Sequence, residues 1–187
     1  NKITGSPIRS IFVIIILLYV MLNKKMQGSE YRKIQKLQVL KKNFKSKYNI
    51  YLKAVEAQIE EYFAEKDVPQ KEVLDAMKYA ISAGGKRIRP VLVMSVAELF
   101  GAGIKDAARV ALAVECVHNY SLIHDDLPCM DDDDLRRGRP TCHKVYGEST
   151  ALLAGDGLLN CAFEILSDRQ KYENISAESL VAITSCL

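Results

Sequence analysis

Residues 120–139 read YSLIHDDLPCMDDDDLRRGR. Six aspartates fall within ten residues: Asp125, Asp126, Asp131, Asp132, Asp133 and Asp134. Three arginines follow at once, Arg136, Arg137 and Arg139. Carboxylates at this density repel one another unless water solvates them or a hard divalent cation bridges them. An acidic run on its own reads as a solvated loop. Three features point instead to a site. The run closes an apolar segment, 107–123, that places it against a core. It contains Pro128. Its paired arginines suit the same anion that a bound divalent cation would suit.

Spacing leaves one question open inside the run. On a straight helix Asp125 and Asp132 align at i and i+7, while Asp131 at i+6 points elsewhere. Pro128 spoils the straight helix. The insert 127–130 must bulge, and a bulge could bring Asp131 beside Asp125. Spacing alone does not choose between Asp131 and Asp132.

Upstream, Val110, Val114, Val117 and Ile123 outline the helix that carries the run. On it, His118, Ser121 and Asp125 share a face at i, i+3 and i+7. A lone histidine more often serves structure, but His118 lies two turns before the carboxylates. Further upstream stands GGKRIRP at 84–90, leading into a helix expected over 90–100. Two glycines allow a sharp turn, and Pro90 suits a first helical turn. Lys86, Arg87 and Arg89 crowd a helix start whose free amides favour anions. Lysine offers a point charge and arginine a bidentate fork. The GxxxxGK[ST] spacing of a Walker A loop is missing. A solvated basic turn is the plain alternative.

The remaining periodicity is helical. Phe44, Tyr48, Leu52, Val55, Ile59 and Tyr62/Phe63 form one apolar stripe, ended near Asp67-Val68-Pro69. Leu74, Met77 and Ile81 form a second, stopped at Ser82-Ala83-Gly84-Gly85. Residues 151–166 are apolar on all sides, with small residues for close backbone approach, which predicts a helix buried all round. Asp156 within it reads as structural. Residues 176–187 read as one more helix. No alternating strand pattern is found, so the expected class is all-α.

Composition sets bounds. The chain has 187 residues, 49% of them hydrophobic and 26% charged, with a net charge of +3. That length suits one sizeable core, by a prior of roughly 100–200 residues per domain. Residues 1–50 hold eleven Lys/Arg and one acid, Glu30; the rest hold fifteen Lys/Arg and twenty-two acids. So sharp a break marks a boundary, with 1–42 as a basic leader and 43–187 as the folded unit. The leader lacks aromatic interleaving and any nucleic-acid motif, so no nucleic-acid partner is expected. Its apolar run, 11–22, is twelve residues long, against about 20 for a membrane span. Membrane contact through it is an outside expectation. Neither a secretory cleavage site nor an Arg-rich, Ser-rich transit composition is present. Five cysteines, Cys116, Cys129, Cys142, Cys161 and Cys186, make no CxxC pair. Neither a disulfide framework nor a zinc site follows, and Cys142-His143 reads as a bystander. A cytoplasmic, reducing setting is expected.

Together, GGKRIRP at 84–90, SLIHDDLPCMDDDDLRRGRPTCHKVYGE at 121–148 and LLAGDGLL at 152–159 resemble the all-trans isoprenyl diphosphate synthases. The likeness runs from about residue 43 to the end. It is strongest to farnesyl diphosphate synthases of bacterial type, with geranylgeranyl diphosphate synthases next. The resemblance implies a helical bundle of the isoprenoid synthase type, here truncated. It implies a Mg2+-dependent prenyltransferase that condenses isopentenyl diphosphate with dimethylallyl or geranyl diphosphate to give farnesyl diphosphate. It implies Asp125 and Asp131 as Mg2+ ligands with Asp126 in support. Arg136 would hold the allylic diphosphate, and Lys86, Arg89, His118 and Arg137 the diphosphate of isopentenyl diphosphate. Tyr120, five residues before Asp125, would limit chain length, and its bulk favours a fifteen-carbon product. Family members are mostly homodimers, so a homodimer is implied. The family's second DDxxD motif is not found: after Asp134 the acids are Glu148, Asp156, Glu164, Asp168, Glu173 and Glu178. The chain is therefore expected to be an N-terminal portion with little condensation activity alone. The alternatives are a geranylgeranyl diphosphate synthase, a non-catalytic substrate-binding subunit, a terpene cyclase and a plain divalent-cation binder. GGKRIRP argues against a cyclase, and no EF-hand spacing supports a Ca2+ binder.

Overall fold

The computed structural model describes residues 44–64 and 69–187. The expected leader, its apolar run at 11–22, and Asp67-Val68 lie outside the described residues. Among the described residues there are seven α-helices, one 3-10 turn and one short two-stranded hairpin. The class is all-α, as expected.

Helix α1 is Phe44–Tyr62. Its buried stripe is Tyr51, Val55 and Ile59, continued by Phe63 just beyond its end, at steps of four. Tyr51 takes the place expected of Leu52, which is half-buried. The reason is polar. The Tyr51 hydroxyl donates to Glu98, which also pairs with Lys47, so an aromatic with a polar tip serves the seam better than leucine. Helix α2 is Lys71–Ile81 and buries Ala76, Met77 and Ile81. The chain then turns through Gly84 and Gly85 at φ 73° and 124°, conformations that a Cβ disfavours.

Helix α3 is Ile88–Leu99 and begins two residues before Pro90. Proline is tolerated there, because the first four helical N–H groups have no intrahelical partner. Helix α4, Ile104–Asp125, is the axis of the bundle. It packs against α1, α2, α3 and α6. Ala107, Ala108, Val110, Ala111, Leu112, Ala113, Val114 and Cys116 are all buried, so most of its circumference is covered. Each large aliphatic side chain so buried contributes roughly 1.5–3 kcal/mol.

The strand expectation needs a correction. Leu135–Arg136 (β1) and Arg139–Pro140 (β2) pair antiparallel, Leu135 with Pro140 and Arg136 with Arg139. Arg137 and Gly138 form the turn at φ 55° and 76°, the positive values of a primed two-residue turn. Two-residue strands are too short to show alternation, which is why the pattern was silent.

Helix α5, Cys142–Tyr146, leads to α6, Glu148–Ser167, and a 3-10 turn, Arg169–Lys171, to α7, Ala177–Thr184. Ser176 caps α7 by accepting from the Ser179 N–H at 3.3 Å. Helix α6 is not buried all round. Ala151, Ala154, Leu158, Ala162, Ile165 and Leu166 face the core, while Leu152, Leu153 and Phe163 are exposed. Small residues do allow close approach. A Cβ on Gly155 would lie 2.2 Å from His124 Nε2, and one on Gly157 would lie 2.8 Å from Met77 Sδ. None of the five cysteines forms a disulfide.

Two buried acids were not anticipated. Asp106 accepts from the backbone N–H groups of Glu173 and Asn174 at 2.9 and 2.7 Å, tying the α6–α7 link to the start of α4. Glu115 pairs with Arg87 at 2.9 Å, and both are buried.

Candidate functional site

Two loops meet at the end of α4. The first follows Asp125. The Asp131 N–H donates to the Asp125 carbonyl at 2.8 Å, and the Met130 and Asp132 N–H groups donate to the Leu127 carbonyl at 2.8 and 3.2 Å. The insert at Pro128 thus curls back and returns the chain to the helix end. Asp131 is the residue whose backbone arrives beside Asp125; Asp132 follows at φ 53°, and both side chains are exposed. Burial and the neighbouring Asp131 charge both push the Asp125 carboxyl above the usual carboxylate range. No hydrogen-bond donor meets the Asp125 side chain among the described residues.

Asp126 is placed differently. It is buried, and Arg136 donates to both its oxygens, from Nε at 2.9 and 2.7 Å and from Nη2 at 2.5 Å. That bond, more than the burial that opposes it, holds the Arg136 guanidinium strongly protonated. Asp133 lies 3.8 Å from Arg136 Nη2, and Asp134 pairs with Lys144 at 2.7 Å. The acid run is therefore divided. Asp125 and Asp131 are neighbours at the helix end whose charges oppose one another, and three of the others face cations.

The second loop is GGKRIRP. Gly85, Lys86, Arg87, Arg89, His118 and Arg137 line a cleft of about 980 Å3, part of it open to solvent. Arg137 Nη1 donates to the Gly84 carbonyl, and its guanidinium lies where a Cβ on Gly85 would stand, 2.6 Å from Nη1. Arg89 Nη1 is 3.2 Å from His118 Nε2. The Tyr48 hydroxyl holds the Lys86 carbonyl at 2.6 Å. Burial, and then Arg89, Arg137, Arg136 and Arg87, push the His118 imidazole down to about 4. It is neutral at pH 7 and offers one ring N–H. Burial and the neighbouring arginines also lower Arg137, although Glu115 opposes them. The cleft is an excess of positive charge, which is what an anion would relieve.

The third loop cation, Arg87, borders the cleft but turns its guanidinium into the core. Its side chain is fully buried and donates to Glu56, Glu115 and the Ile81 carbonyl. Sequence spacing gave no sign of this. The signal available was Glu115 itself, an acid on the most buried stretch of α4. Tyr120 is half-buried and stacks edge-on against His124 with ring centroids 4.9 Å apart. His124 Nε2 meets the Leu152 carbonyl at 3.1 Å and lies 3.8 Å from Asp156, which is exposed. Cys142 and His143 are both buried; Cys142 Sγ donates to the Ala76 carbonyl at 3.9 Å, and His143 Nδ1 lies 3.2 Å from Thr141 Oγ1.

A family model described as polyprenyl synthetase matches residues 70–185. The chain belongs to the polyprenyl synthetase family. It is 49% identical over 133 residues to the farnesyl diphosphate synthase of Bacillus subtilis, covering 71% of this chain and 44% of that one. It is 53% identical over 117 residues to the heterodimeric geranylgeranyl pyrophosphate synthase large subunit 1 of Arabidopsis thaliana, covering 61% of this chain and 32% of that one. A solved geranyltransferase from Legionella pneumophila superposes with a TM-score of 0.71 at 42% identity, over 75% of this chain and 49% of that one. The chain spans less than half the length of each of these polyprenyl synthetase relatives.

The donors at this site are those a divalent ion would take. Asp125 and Asp131 supply hard carboxylate oxygens at the same helix end, the donor chemistry Mg2+ takes. No group of three or more His, Cys, Asp or Glu side chains among the described residues could hold an ion alone. Mg2+ commonly completes its shell with waters and substrate phosphates, so two carboxylates fit that pattern. No helix among the described residues is long and apolar enough to cross a membrane.

Proposed function

We propose that this chain supplies one wall of the active cleft of a Mg2+-dependent prenyltransferase. The reaction joins isopentenyl diphosphate to an allylic diphosphate to give farnesyl diphosphate. The carrying observation is the return of Asp131 to Asp125 at the end of α4, the helix that also carries His118 into the cleft of Lys86, Arg89 and Arg137. One half suits a metal-bridged diphosphate, the other a diphosphate held by protein cations alone.

The chemistry is charge separation. The allylic C–O bond breaks, its electron pair leaves with pyrophosphate, the isopentenyl double bond attacks, and a proton departs. Mg2+ bound at Asp125 and Asp131 would supply Lewis-acid stabilisation of the leaving pyrophosphate. Arg136 adds a fixed cation beside that group. Lys86, Arg89 and Arg137 hold the second diphosphate, and neutral His118 donates one hydrogen bond to it. These charges stand in place before the bond breaks, so little reorganisation is needed as charge develops. Residues 43–187 form the wall, and a cytoplasmic homodimer is the assembly that this reading carries.

Product length rests on Tyr120. Its ring, backed by His124, puts bulk five residues before Asp125 and supports a fifteen-carbon product. The twenty-carbon reading is favoured by the geranylgeranyl pyrophosphate synthases among the relatives. Calorimetric titration of the chain with inorganic pyrophosphate, with and without Mg2+, tests the site. Asp125→Asn and Asp131→Asn are expected to remove the Mg2+-dependent gain, and Arg89→Met to weaken the Mg2+-independent part. Unchanged binding in all three variants refutes the assignment. Chromatography of the products made by the active protein separates fifteen from twenty carbons.

A further inference from the structure

Consecutive residues on an α-helix leave its axis about 100° apart. Asp125 is the last residue of α4, and Asp126, at φ −74° and ψ −16°, still has helical backbone. Their carboxylates cannot aim at one point. Asp125 is half-buried and stands with Asp131. Asp126 is 3% exposed and lines a hollow under the hairpin with Asn119, Ile123, Thr141 and Cys142.

What Asp126 does there is visible in the bonds of Arg136. Nε and Nη2 are spent on Asp126. Nη1 has no partner among the described residues, and the Arg136 side chain keeps 32% of its surface exposed. A guanidinium is a rigid plane with five donors, so locking one edge sets the direction of the other. The backbone of the hairpin limits the approach further, because Arg136 is paired with Arg139 across the primed turn.

We infer that Asp126 is a positioning residue and not a metal ligand: it grips the Nε edge of Arg136 so that Nη1 faces the diphosphate held at Asp125 and Asp131. The inference rests on the proposed reading of that site. It divides the paired aspartates by role. Asp125 serves the cation, and Asp126 serves the anion through Arg136. Without Asp126, Arg136 keeps its charge and loses its aim. Without Arg136, Asp126 is a buried carboxylate with no cation.

The experiment uses Asp125→Asn, Asp126→Asn and Asp126→Glu in this chain, with Mn2+ and inorganic pyrophosphate as probes. Electron paramagnetic resonance reads Mn2+ binding, and calorimetry without metal, in an Arg89→Met background that weakens the second cleft, reads pyrophosphate at Arg136. Nitrogen-15 resonances read the Arg136 Nε–H, assigned by its loss in Arg136→Lys. Asp125→Asn is expected to weaken Mn2+ binding in the presence of pyrophosphate at least about tenfold. Asp126→Asn is expected to leave Mn2+ binding within about twofold, to weaken metal-free pyrophosphate about tenfold, and to expose the Arg136 Nε–H to rapid exchange. Asp126→Glu restores part of the pyrophosphate affinity. If Asp126→Asn loses Mn2+ as severely as Asp125→Asn, Asp126 is a ligand and the inference is overturned. It is equally overturned if the Nε–H and pyrophosphate affinity do not change. Should Asp126→Asn fail to fold, Arg136→Lys takes its place. Lost pyrophosphate with intact Mn2+ binding then supports the inference, and lost Mn2+ overturns it. A wild-type chain that binds neither probe overturns the parent reading, whereas failure confined to the Asp126 and Arg136 variants overturns this one alone.

Discussion

Replacing Arg87 by methionine is expected to cost far more stability than the same change at Arg89, two residues on. The Arg87 side chain is 0% exposed, and its Nη1 meets Glu115 at 2.9 Å. Its Nη2 meets the Ile81 carbonyl at 2.6 Å. Its third partner, Glu56, is 42% exposed and can rehydrate, so that pair is discounted for solvent screening. Glu115 is 2% exposed and cannot rehydrate. Breaking a buried pair from one side costs about 3–5 kcal/mol, because the remaining charge is stranded. With an m-value of about 2 kcal/mol per molar urea, the unfolding midpoint falls by roughly 2 M. The double variant Arg87→Met/Glu115→Gln should recover much of that loss, since no stranded charge remains. Arg89→Met should cost under about 1 kcal/mol, the usual range for a surface-lying change. Urea unfolding followed by circular dichroism measures all three. A loss below about 1 kcal/mol for Arg87→Met, or an equal loss at Arg89, would refute the division of these cations into one for the core and one for the cleft.

Two further outcomes are expected. His118 should titrate near 4 in the free protein, because burial and then four arginines oppose its proton. Since its folded value lies below the unfolded one near 6.5, the associated stability is present above about pH 6.5 and declines as pH falls towards 4. Pyrophosphate should raise the value by adding negative charge nearby, so its affinity should weaken as pH rises through the bound value. Imidazole nitrogen-15 shifts measure this, and a free value above 6 contradicts the crowded-cation picture. Gly155→Ala should lower stability by up to about 2 kcal/mol despite alanine's helix advantage of about 1 kcal/mol. The new methyl displaces His124 and its bond to the Leu152 carbonyl, at an overpacking cost of about 1–3 kcal/mol. Thermal unfolding tests it, and a stabilised variant would show that His124 moves aside freely.

Most helices were legible because their apolar steps of three and four repeat over several turns. The bulge at Pro128 was legible too, since proline forbids the straight path. Which aspartate it delivers was not, because the answer lies in backbone bonds to the Asp125 and Leu127 carbonyls. Arg87 could not be told from Lys86 and Arg89 by type or spacing. Only the fold shows that the left-handed turn at Arg87, φ 44°, sends its side chain towards Glu115. Residues 151–166 misled in the opposite way: apolar composition on all sides does not ensure that every side has a neighbour. Asp126 and Arg136 are ten residues apart, and their meeting depends on a hairpin with too few residues to leave a pattern.

Arg136 and Arg137 are neighbours in the chain, yet one reaches Asp126 and the other reaches the Gly84 carbonyl, some fifty positions upstream. A single dipeptide therefore sets the spacing between the two halves of the cleft. Adding or removing one residue in this turn would break the register of Leu135 with Pro140 and misdirect both guanidinium groups while leaving every side chain chemically intact. The segment should accordingly accept changes of identity at its outer positions and reject changes of length.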